Sequence, residues 1–175
     1  METIFYRIMD SKIGKLVMAS SSKGLCYLGF YENIKNDLEG ELEKVLGKCR
    51  LVDENSTGSQ SSINQKAQEE LELYFEKKLT HFSVPLDLRG TPFQIKVWNE
   101  LVKIPYGKTV SYRDIAEAIG KPKACRAVGG ANHNNPVAII VPCHRVIGKN
   151  GSLVGYGGGL PIKSYLLHLE GCYTK

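Results

Sequence analysis

The hydrophobic periodicity of the sequence changes near Gly90, and this change limits the fold to two unlike halves. Before Gly90, short apolar runs alternate with polar turns, a pattern typical of β-strands. After it, apolar residues recur every three or four positions, and the segments carry helix start and stop signals. A chain of 175 residues is long enough for two small domains. We therefore predict an N-terminal domain over residues 1–88 and a C-terminal domain over residues 89–175.

The first half contains three apolar runs joined by short polar turns, which indicates an antiparallel meander. The runs cover residues 4–9, 13–19 and 25–31. Helical spacing over residues 33–48 and an amphipathic pattern over residues 63–79 predict two helices. The Ser-rich stretch 53–62 between them is predicted to be a loop. No catalytic pattern appears in this half, so we expect a small α/β scaffold.

The second half is punctuated by helix-capping residues. Thr91-Pro92-Phe93-Gln94 can form a capping box with proline at the first helical position. Ser111 can cap a second helix that ends at Gly120. Pro122 is predicted to open a third helix. The second and third helices match a helix-turn-helix, although helical hairpins without a DNA-binding role are also common.

The third helix carries Gly129 and Gly130 in its interior, where each costs about 1 kcal/mol relative to alanine. Close approach of another helix or of nucleic acid would offset that cost, and the glycines alone do not distinguish the two. Arg126 favours nucleic acid, because a long cation beside a face of small residues suits a DNA groove.

A cysteine follows an apolar run in this half. Residues 137–141 lead through Pro142 into Cys143, which His144 and Arg145 follow at once. A thiol reacts as its thiolate, and neighbouring cations favour that form. The same pattern also fits a small buried hydrophobe. Since consecutive side chains of an extended segment point to opposite faces, His144 can activate Cys143 only if the chain turns there or a water bridges them.

Beyond the cysteine, Val146-Ile147 and Leu153-Val154 are predicted to pair as a short hairpin. The glycine-rich segment 155–159 lacks the lysine and serine of a Walker motif, so it is not that kind of nucleotide loop. Pro161 starts a last helix with Glu170 at its end. Because a carboxylate is unfavourable at a helix C-terminus, Glu170 is expected to have solvent or a cationic partner.

Composition excludes several classes of protein. The five cysteines are scattered and form no C-x-x-C pair, which argues against a disulfide framework and a structural zinc site. The net charge of +5 permits a polyanionic partner without requiring one. No apolar run approaches the ~20 residues that cross a bilayer, and the N-terminus lacks a secretory signal. We expect a cytoplasmic protein with no membrane contact, no metal and no cofactor.

Taken together, the motifs of the second half resemble the O6-alkylguanine-DNA alkyltransferases, also called methylated-DNA–protein-cysteine methyltransferases. The matching segments, in the family's order and spacing, are VSYRDIA at 110–116, RAVGGA at 126–131, NP at 135–136, IVPCHRV at 140–146, YGGGL at 156–160 and LLHLEG at 166–171. The first 88 residues match only in kind. The resemblance implies an α/β N-terminal domain with a small antiparallel, RNase H-like sheet. It further implies a mainly α C-terminal domain with a winged-helix-like helix-turn-helix and the active-site cysteine.

The resemblance also implies an activity. An alkyl group would pass irreversibly from O6 of guanine, and less well from O4 of thymine, onto the protein's own cysteine. The implied partner is double-stranded DNA that carries O6-alkylguanine, bound by a monomer through the minor groove with the damaged base flipped out. Cys143 would be the acceptor, with His144 and Glu170 as a relay through a water. Tyr112 would donate a hydrogen bond to N3 of the base.

The remaining site residues also come from the resemblance. Arg126 would fill the gap that the flipped base leaves, and Asn135 would tie the recognition helix to the active-site turn. The carbonyl of Val146 and the backbone N–H of Gly157 would hold the base edge. Gly157 stands where the family commonly has serine, and it keeps the N–H but not the hydroxyl. The other implied DNA- or base-binding residues are Ala127, Gly129, Gly130 and Tyr156.

Two other functions stay open on the sequence alone. A non-covalent DNA-binding module with this helix-turn-helix would not need Cys143. A thiol hydrolase using Cys143, His144 and Glu170 would turn over esters or peptides without DNA. Such hydrolases usually take their cysteine and histidine from distant positions, so the adjacency of the pair counts against the second alternative.

Overall fold

The structure, a computed structural model, describes residues 1–172. The end of the predicted second domain, residues 173–175, therefore lies outside the described part of the chain. The chain divides after Arg89 into a first unit, Met1–Arg89, and a second unit that begins at Gly90.

A four-stranded mixed sheet forms the centre of the first unit. Its strands are β1 (Thr3–Met9), β2 (Leu16–Ser20), β3 (Leu25–Phe30) and β4 (Arg50–Asp53), in the order β3-β2-β1-β4. Strands β1, β2 and β3 pair antiparallel, with Ile8 opposite Val17, so the predicted meander is confirmed. Strand β4 pairs parallel with β1 and was not predicted. Its four residues include none that is fully buried, and so short a run shows no alternating pattern.

Three helices accompany this sheet: α1 (Leu38–Leu46), α2 (Glu54–Thr57) and α3 (Ser62–Phe75). The prediction of a loop over residues 53–62 is wrong in its first part. Asp53 caps α2 by accepting the N–H of Asn55, and Glu54 forms a buried ion pair with Arg7 of β1 at 2.7 Å. The short helix depends on this long-range pair, which the local sequence does not reveal.

The described part of the second unit contains four helices: α4 (Pro92–Val102), α5 (Tyr112–Ala118), α6 (Cys125–His133) and α7 (Leu160–Leu169). Capping boxes start α4 at Thr91 and α5 at Ser111. Helix α6 begins at Cys125 and not at Pro122, because a turn bond from Ala124 N–H to the carbonyl of Lys121 (2.9 Å) precedes it. Within residues 1–172, no helix combines the length and the apolar character that crossing a bilayer requires.

The only sheet pairing described for this unit joins β5 (Val110–Ser111) and β6 (Val146–Ile147), which run parallel. The predicted hairpin between residues 146–147 and 153–154 is therefore wrong. A turn closes at residues 148–152, where Gly148 N–H donates to the carbonyl of Ser152 at 2.8 Å. The carbonyl of Val154 accepts side-chain donors instead of a strand partner.

Candidate active site

Two tight backbone turns deliver the chain to Cys143. Ile139 has a φ of 71°, a conformation that β-branched residues rarely adopt, and the N–H of the next residue bonds the preceding carbonyl at 2.8 Å, as in a γ-turn. A second such turn surrounds Pro142, with Cys143 N–H donating to the carbonyl of Val141 at 2.8 Å. A 3-10 turn over Cys143–Arg145, the nucleophile turn, follows. The chain therefore turns at the cysteine, which removes the objection that an extended segment would separate it from His144.

Asn135 connects both ends of the segment before the cysteine. Its Nδ2 donates to the carbonyl of Val141 at 2.8 Å, and its Oδ1 accepts the N–H of Val137 at 3.0 Å. One turn earlier, Asn132 of α6 reaches the carbonyl of Cys143 at 3.5 Å. The end of α6 and the nucleophile turn are thus joined by side-chain amides.

Cys143 is buried, with only 6% of the residue exposed. Burial raises the pKa of Cys143 above its ordinary value, while a hydrogen bond from Asn135, the charge of Lys163 and nearby backbone N–H groups act in the opposite direction. Burial prevails. The isolated protein therefore favours the neutral thiol, and the thiol must lose its proton before it can act as a nucleophile.

Glu170 lies beside the nucleophile turn with its side chain fully buried. Its carboxylate accepts His144 Nε2 at 2.8 Å, Arg145 Nε at 2.8 Å and Arg145 Nη2 at 2.9 Å. Burial opposes ionisation, but the hydrogen bonds from His144 and Arg145, together with their charges, outweigh it and lower the pKa of Glu170 to about 2. The carboxylate is consequently ionised near neutral pH.

This carboxylate fixes the tautomer of His144. Burial lowers the pKa of His144 despite the opposing effect of Glu170, so the ring is neutral near pH 7. An ionised carboxylate can only accept, so the ring carries its proton on Nε2. Nδ1 then bears the lone pair, and it is buried without a hydrogen-bond partner in the part of the chain described. This nitrogen can accept a proton.

Within the described structure, neither glycine of α6 has a neighbour so close that a larger residue would clash with it. A Cβ on Gly130 would meet no atom within 4 Å, and one on Gly129 would reach only the ring of Tyr112 at 4.0 Å. Gly130 is exposed together with Arg126 and Ala127. Tight helix packing therefore does not explain these glycines, and they form a smooth outer face beside a cation.

The other predicted base-binding residues differ in their hydrogen bonds and in their exposure. Burial raises the pKa of Tyr112 and that of Tyr156, and a charge on Cys143 acts in the same direction. The Tyr112 hydroxyl donates to the carbonyl of Val154 at 3.0 Å. The carbonyl of Val146 accepts a side-chain donor at 2.7 Å, and Gly157 is exposed.

That donor is Lys163, a residue that the sequence interpretation missed. Its side chain is completely buried, and Nζ donates to the carbonyls of Val146, Val154 and Gly155 at 2.7, 3.1 and 3.3 Å. Burial lowers the pKa of Lys163 to about 8. A signal was available, because Lys163 shares one helical stripe with Leu166, Leu167 and Glu170, all of them buried.

Arg145 is the second residue that was missed. Besides its pairing with Glu170, its Nη1 donates to the carbonyl of Ile104 at 2.6 Å. No cluster of three or more His, Cys, Asp or Glu side chains that could hold a metal occurs among residues 1–172.

Comparison with known proteins gives consistent matches over the whole chain. The model for the 6-O-methylguanine DNA methyltransferase ribonuclease-like domain matches residues 4–88, and that for its DNA binding domain matches residues 92–172. A methylated-DNA–protein-cysteine methyltransferase from Methanosarcina acetivorans is 45% identical over 96% of this chain and 99% of its own length. One from Mycobacterium tuberculosis is 47% identical over 95% of this chain and 92% of its own. The crystal structure of Mycobacterium tuberculosis O6-methylguanine methyltransferase is similar, with a TM-score of 0.80 at 43% identity, over 98% of this chain and 95% of that one.

Proposed function

Because this chain belongs to the 6-O-methylguanine DNA methyltransferase family, we propose that Cys143 accepts an alkyl group directly from O6 of guanine in DNA. The activity is direct-reversal DNA repair, and no base or nucleotide is removed. The observation that supports Cys143 as the acceptor is its setting. Asn135, Lys163 and backbone N–H groups favour its thiolate, next to a histidine that can accept a proton.

The transfer is a displacement at the alkyl carbon. The sulfur of Cys143 forms a bond to the methyl carbon while the carbon–O6 bond breaks, and the electron pair of that bond stays with guanine. The thiol proton passes to Nδ1 of His144, directly or through a water, while Glu170 holds Nε2–H. His144 then releases that proton and the guanine anion takes one up at N1, so a thiol and O6-methylguanine become a thioether and guanine.

A base inside a duplex cannot reach the thiol of a residue as buried as Cys143, so the damaged nucleotide has to leave the stack. The exposed face of α6 supports entry into the minor groove, since Gly129 and Gly130 leave a smooth surface for the DNA backbone. Arg126, exposed on this face, would occupy the space of the flipped base.

The flipped base would be held by groups that surround Cys143. The hydroxyl of Tyr112 would donate to N3 as negative charge develops on guanine, and the carbonyl of Val146 would accept from the exocyclic amine. The N–H of Gly157 and the ring of Tyr156 would line the other edge. A carbonyl oxygen has two lone pairs, so Val146 can accept the amine while it keeps Lys163.

The deciding experiment is an intact-mass measurement after incubation with duplex DNA that carries one O6-methylguanine. We expect a gain of one methyl group per chain, located on the peptide that contains Cys143. Cys143→Ser should bind the duplex and gain nothing, and a duplex with ordinary guanine is the substrate control. An unchanged mass, or a methyl group on Cys125, would refute the proposed acceptor.

We also propose that the protein acts as a monomer in the cytoplasm. A single chain contains every residue that the proposed transfer needs, and its DNA substrate lies inside the cell. Sedimentation of the protein with and without a short duplex tests the first point, and cell fractionation tests the second.

A further inference from the structure

Tyr112 cannot hold a base and keep its present hydrogen bond. A tyrosine hydroxyl has one proton to donate. In this structure the proton goes to the carbonyl of Val154 at 3.0 Å. The proposed function, on which this inference rests, requires the same proton at N3 of the flipped guanine. The segment 154–159, which consists of Val154 and the glycine-rich stretch after it, therefore competes with the substrate for Tyr112.

Val154 has a second donor at the same carbonyl. Lys163 Nζ, from α7, reaches it at 3.1 Å, whereas Tyr112 belongs to α5. The same ammonium group bonds Gly155 in the segment and Val146 next to the nucleophile turn. When Tyr112 leaves, Val154 thus keeps one hydrogen bond and does not become an unsatisfied acceptor.

We propose that Lys163 is a positioning residue for the repair reaction, which holds the carbonyl of Val154 so that Tyr112 can transfer its hydrogen bond from the protein to the base. The segment closes the site by occupying Tyr112 when no base is present. Lys163 makes the exchange cheap, because breaking the Tyr112 bond then exposes no unpaired acceptor. Lys163 acts through Val154 and is not required to touch the base.

The segment is built for a small local movement. Val154 is 49% exposed, and Gly155 has a φ of 53°, a region that glycine adopts without strain. Three further glycines follow at residues 157–159. The segment can therefore shift away from Tyr112 without disrupting the buried core of the unit.

Lys163 has a second effect that the test must separate. Its charge favours the thiolate of Cys143 and disfavours the protonated form of His144. Replacing Lys163 therefore changes thiol reactivity regardless of Val154. Only the dependence on Tyr112 distinguishes the proposed exchange from this electrostatic effect.

A double-mutant cycle separates the hydrogen-bond exchange from the electrostatic effect of Lys163. Lys163→Met keeps an unbranched side chain that is one atom shorter and removes the three N–H donors. We measure the single-turnover rate of methyl transfer from duplex DNA in the unchanged chain, in Lys163→Met, in Tyr112→Phe and in the double variant. Lys163→Met should slow transfer about tenfold more when Tyr112 is present than in the Tyr112→Phe background. Equal slowing in the two backgrounds would overturn the proposal.

Amide hydrogen exchange tests the closed state without any substrate. Gly159 N–H, which donates to the carbonyl of Tyr156 at 2.9 Å, reports on the segment, and Ile104 N–H, bonded to Leu101 after α4, is the control. Tyr112→Phe should accelerate exchange at Gly159 about fivefold or more and leave Ile104 unchanged. Unchanged exchange at Gly159 would contradict the competition. Since no alkyl transfer is involved, this outcome is independent of the proposed function and of whether Lys163→Met folds.

Discussion

Arg145 and Glu170 form a buried, bidentate ion pair, with Nε to Oε2 at 2.8 Å and Nη2 to Oε1 at 2.9 Å. The pair joins the nucleophile turn to the C-terminal end of α7, where an unpaired carboxylate would be unfavourable. It leaves Oε1 directed at His144, so one carboxylate both anchors the turn and sets the histidine tautomer. Structure and chemistry therefore depend on the same two oxygen atoms.

Removing the arginine should destabilise the second unit strongly. Arg145→Met leaves the buried charge of Glu170 without its main partner, and breaking such a pair typically costs about 3–5 kcal/mol. Urea denaturation measures the loss. The matched control is Arg113→Met, which breaks the exposed pair with Glu117 (2.9 Å) and should cost below about 0.5 kcal/mol. Similar losses in the two variants would show that burial does not govern the Arg145 pair.

Glu170 should make stability depend on acidity. Its pKa is lowered from 4.5 to about 2, so its contribution is fully present above pH 4.5 and is lost as the pH falls towards 2. The shift corresponds to roughly 3 kcal/mol. The free energies of unfolding of the unchanged chain and of Glu170→Gln, measured between pH 6 and pH 2, should therefore converge as the pH falls. Glu43→Gln, at an exposed glutamate, is the control, and its free energy of unfolding should differ from that of the unchanged chain by the same amount at every pH.

The Glu170→Gln substitution should also impair methyl transfer through the tautomer of His144. The amide offers one acceptor oxygen where the carboxylate offered two, so it cannot accept from both nitrogens of Arg145 and from Nε2–H of His144 as Glu170 does. When the amide nitrogen faces Nε2 of His144, the ring proton moves to Nδ1 and the base for the thiol is lost, an effect of about 10²–10⁴ in rate. Raising the pH should recover part of the rate, because hydroxide then ionises Cys143. A deficit that stays constant over the pH range of single-turnover assays would indicate packing damage instead.

Structural features that depend on neighbouring residues could be predicted from the sequence, whereas features that depend on distant residues could not. Each capping box, one at Thr91 and one at Ser111, spans only four residues. The two helix starts were therefore predictable from neighbouring residues alone. Strand β4 and the start of α6 were not, since they depend on pairing with β1 and on a turn bond before Cys125.

At the site, the sequence motifs singled out Asn135, His144 and Glu170, but not the hydrogen bonds that these residues make. Val154 looked like a strand residue because its side chain is β-branched, yet its carbonyl binds the side chains of Tyr112 and Lys163. These partners come from α5 and α7. Only the tertiary fold brings them together.

Arg126 should matter for duplex DNA and not for a free base. Flipping a base out of the stack costs a few kcal/mol, and an exposed arginine on α6 can recover part of it by taking the vacated place. Arg126→Ala should therefore slow repair of duplex O6-methylguanine at least tenfold more than reaction with free O6-benzylguanine. Arg50→Ala, at an exposed cation of the first unit, is the charge control. Equal slowing on both substrates would mean that Arg126 is structural.

Alkylation should both end the reaction and weaken the protein. A thioether on Cys143 has no good leaving group, and the described chain offers no metal cluster or paired cysteine that could take the group onward. The added methyl enters a site that is 6% exposed, and overpacking of this kind typically costs about 1–3 kcal/mol. It also removes the ionisable proton, so Asn135 and Lys163 lose the charge that they would stabilise.

The test is a titration with excess lesion DNA in which intact mass and melting temperature are followed together. One methyl group per chain should appear, and the melting temperature should fall in proportion to the methylated fraction once DNA is removed. Cys143→Ser, treated in the same way, should keep its melting temperature. More than one guanine repaired per chain would contradict the single-turnover mechanism. An unchanged melting temperature of the methylated protein would show that the site accommodates the methyl group without strain.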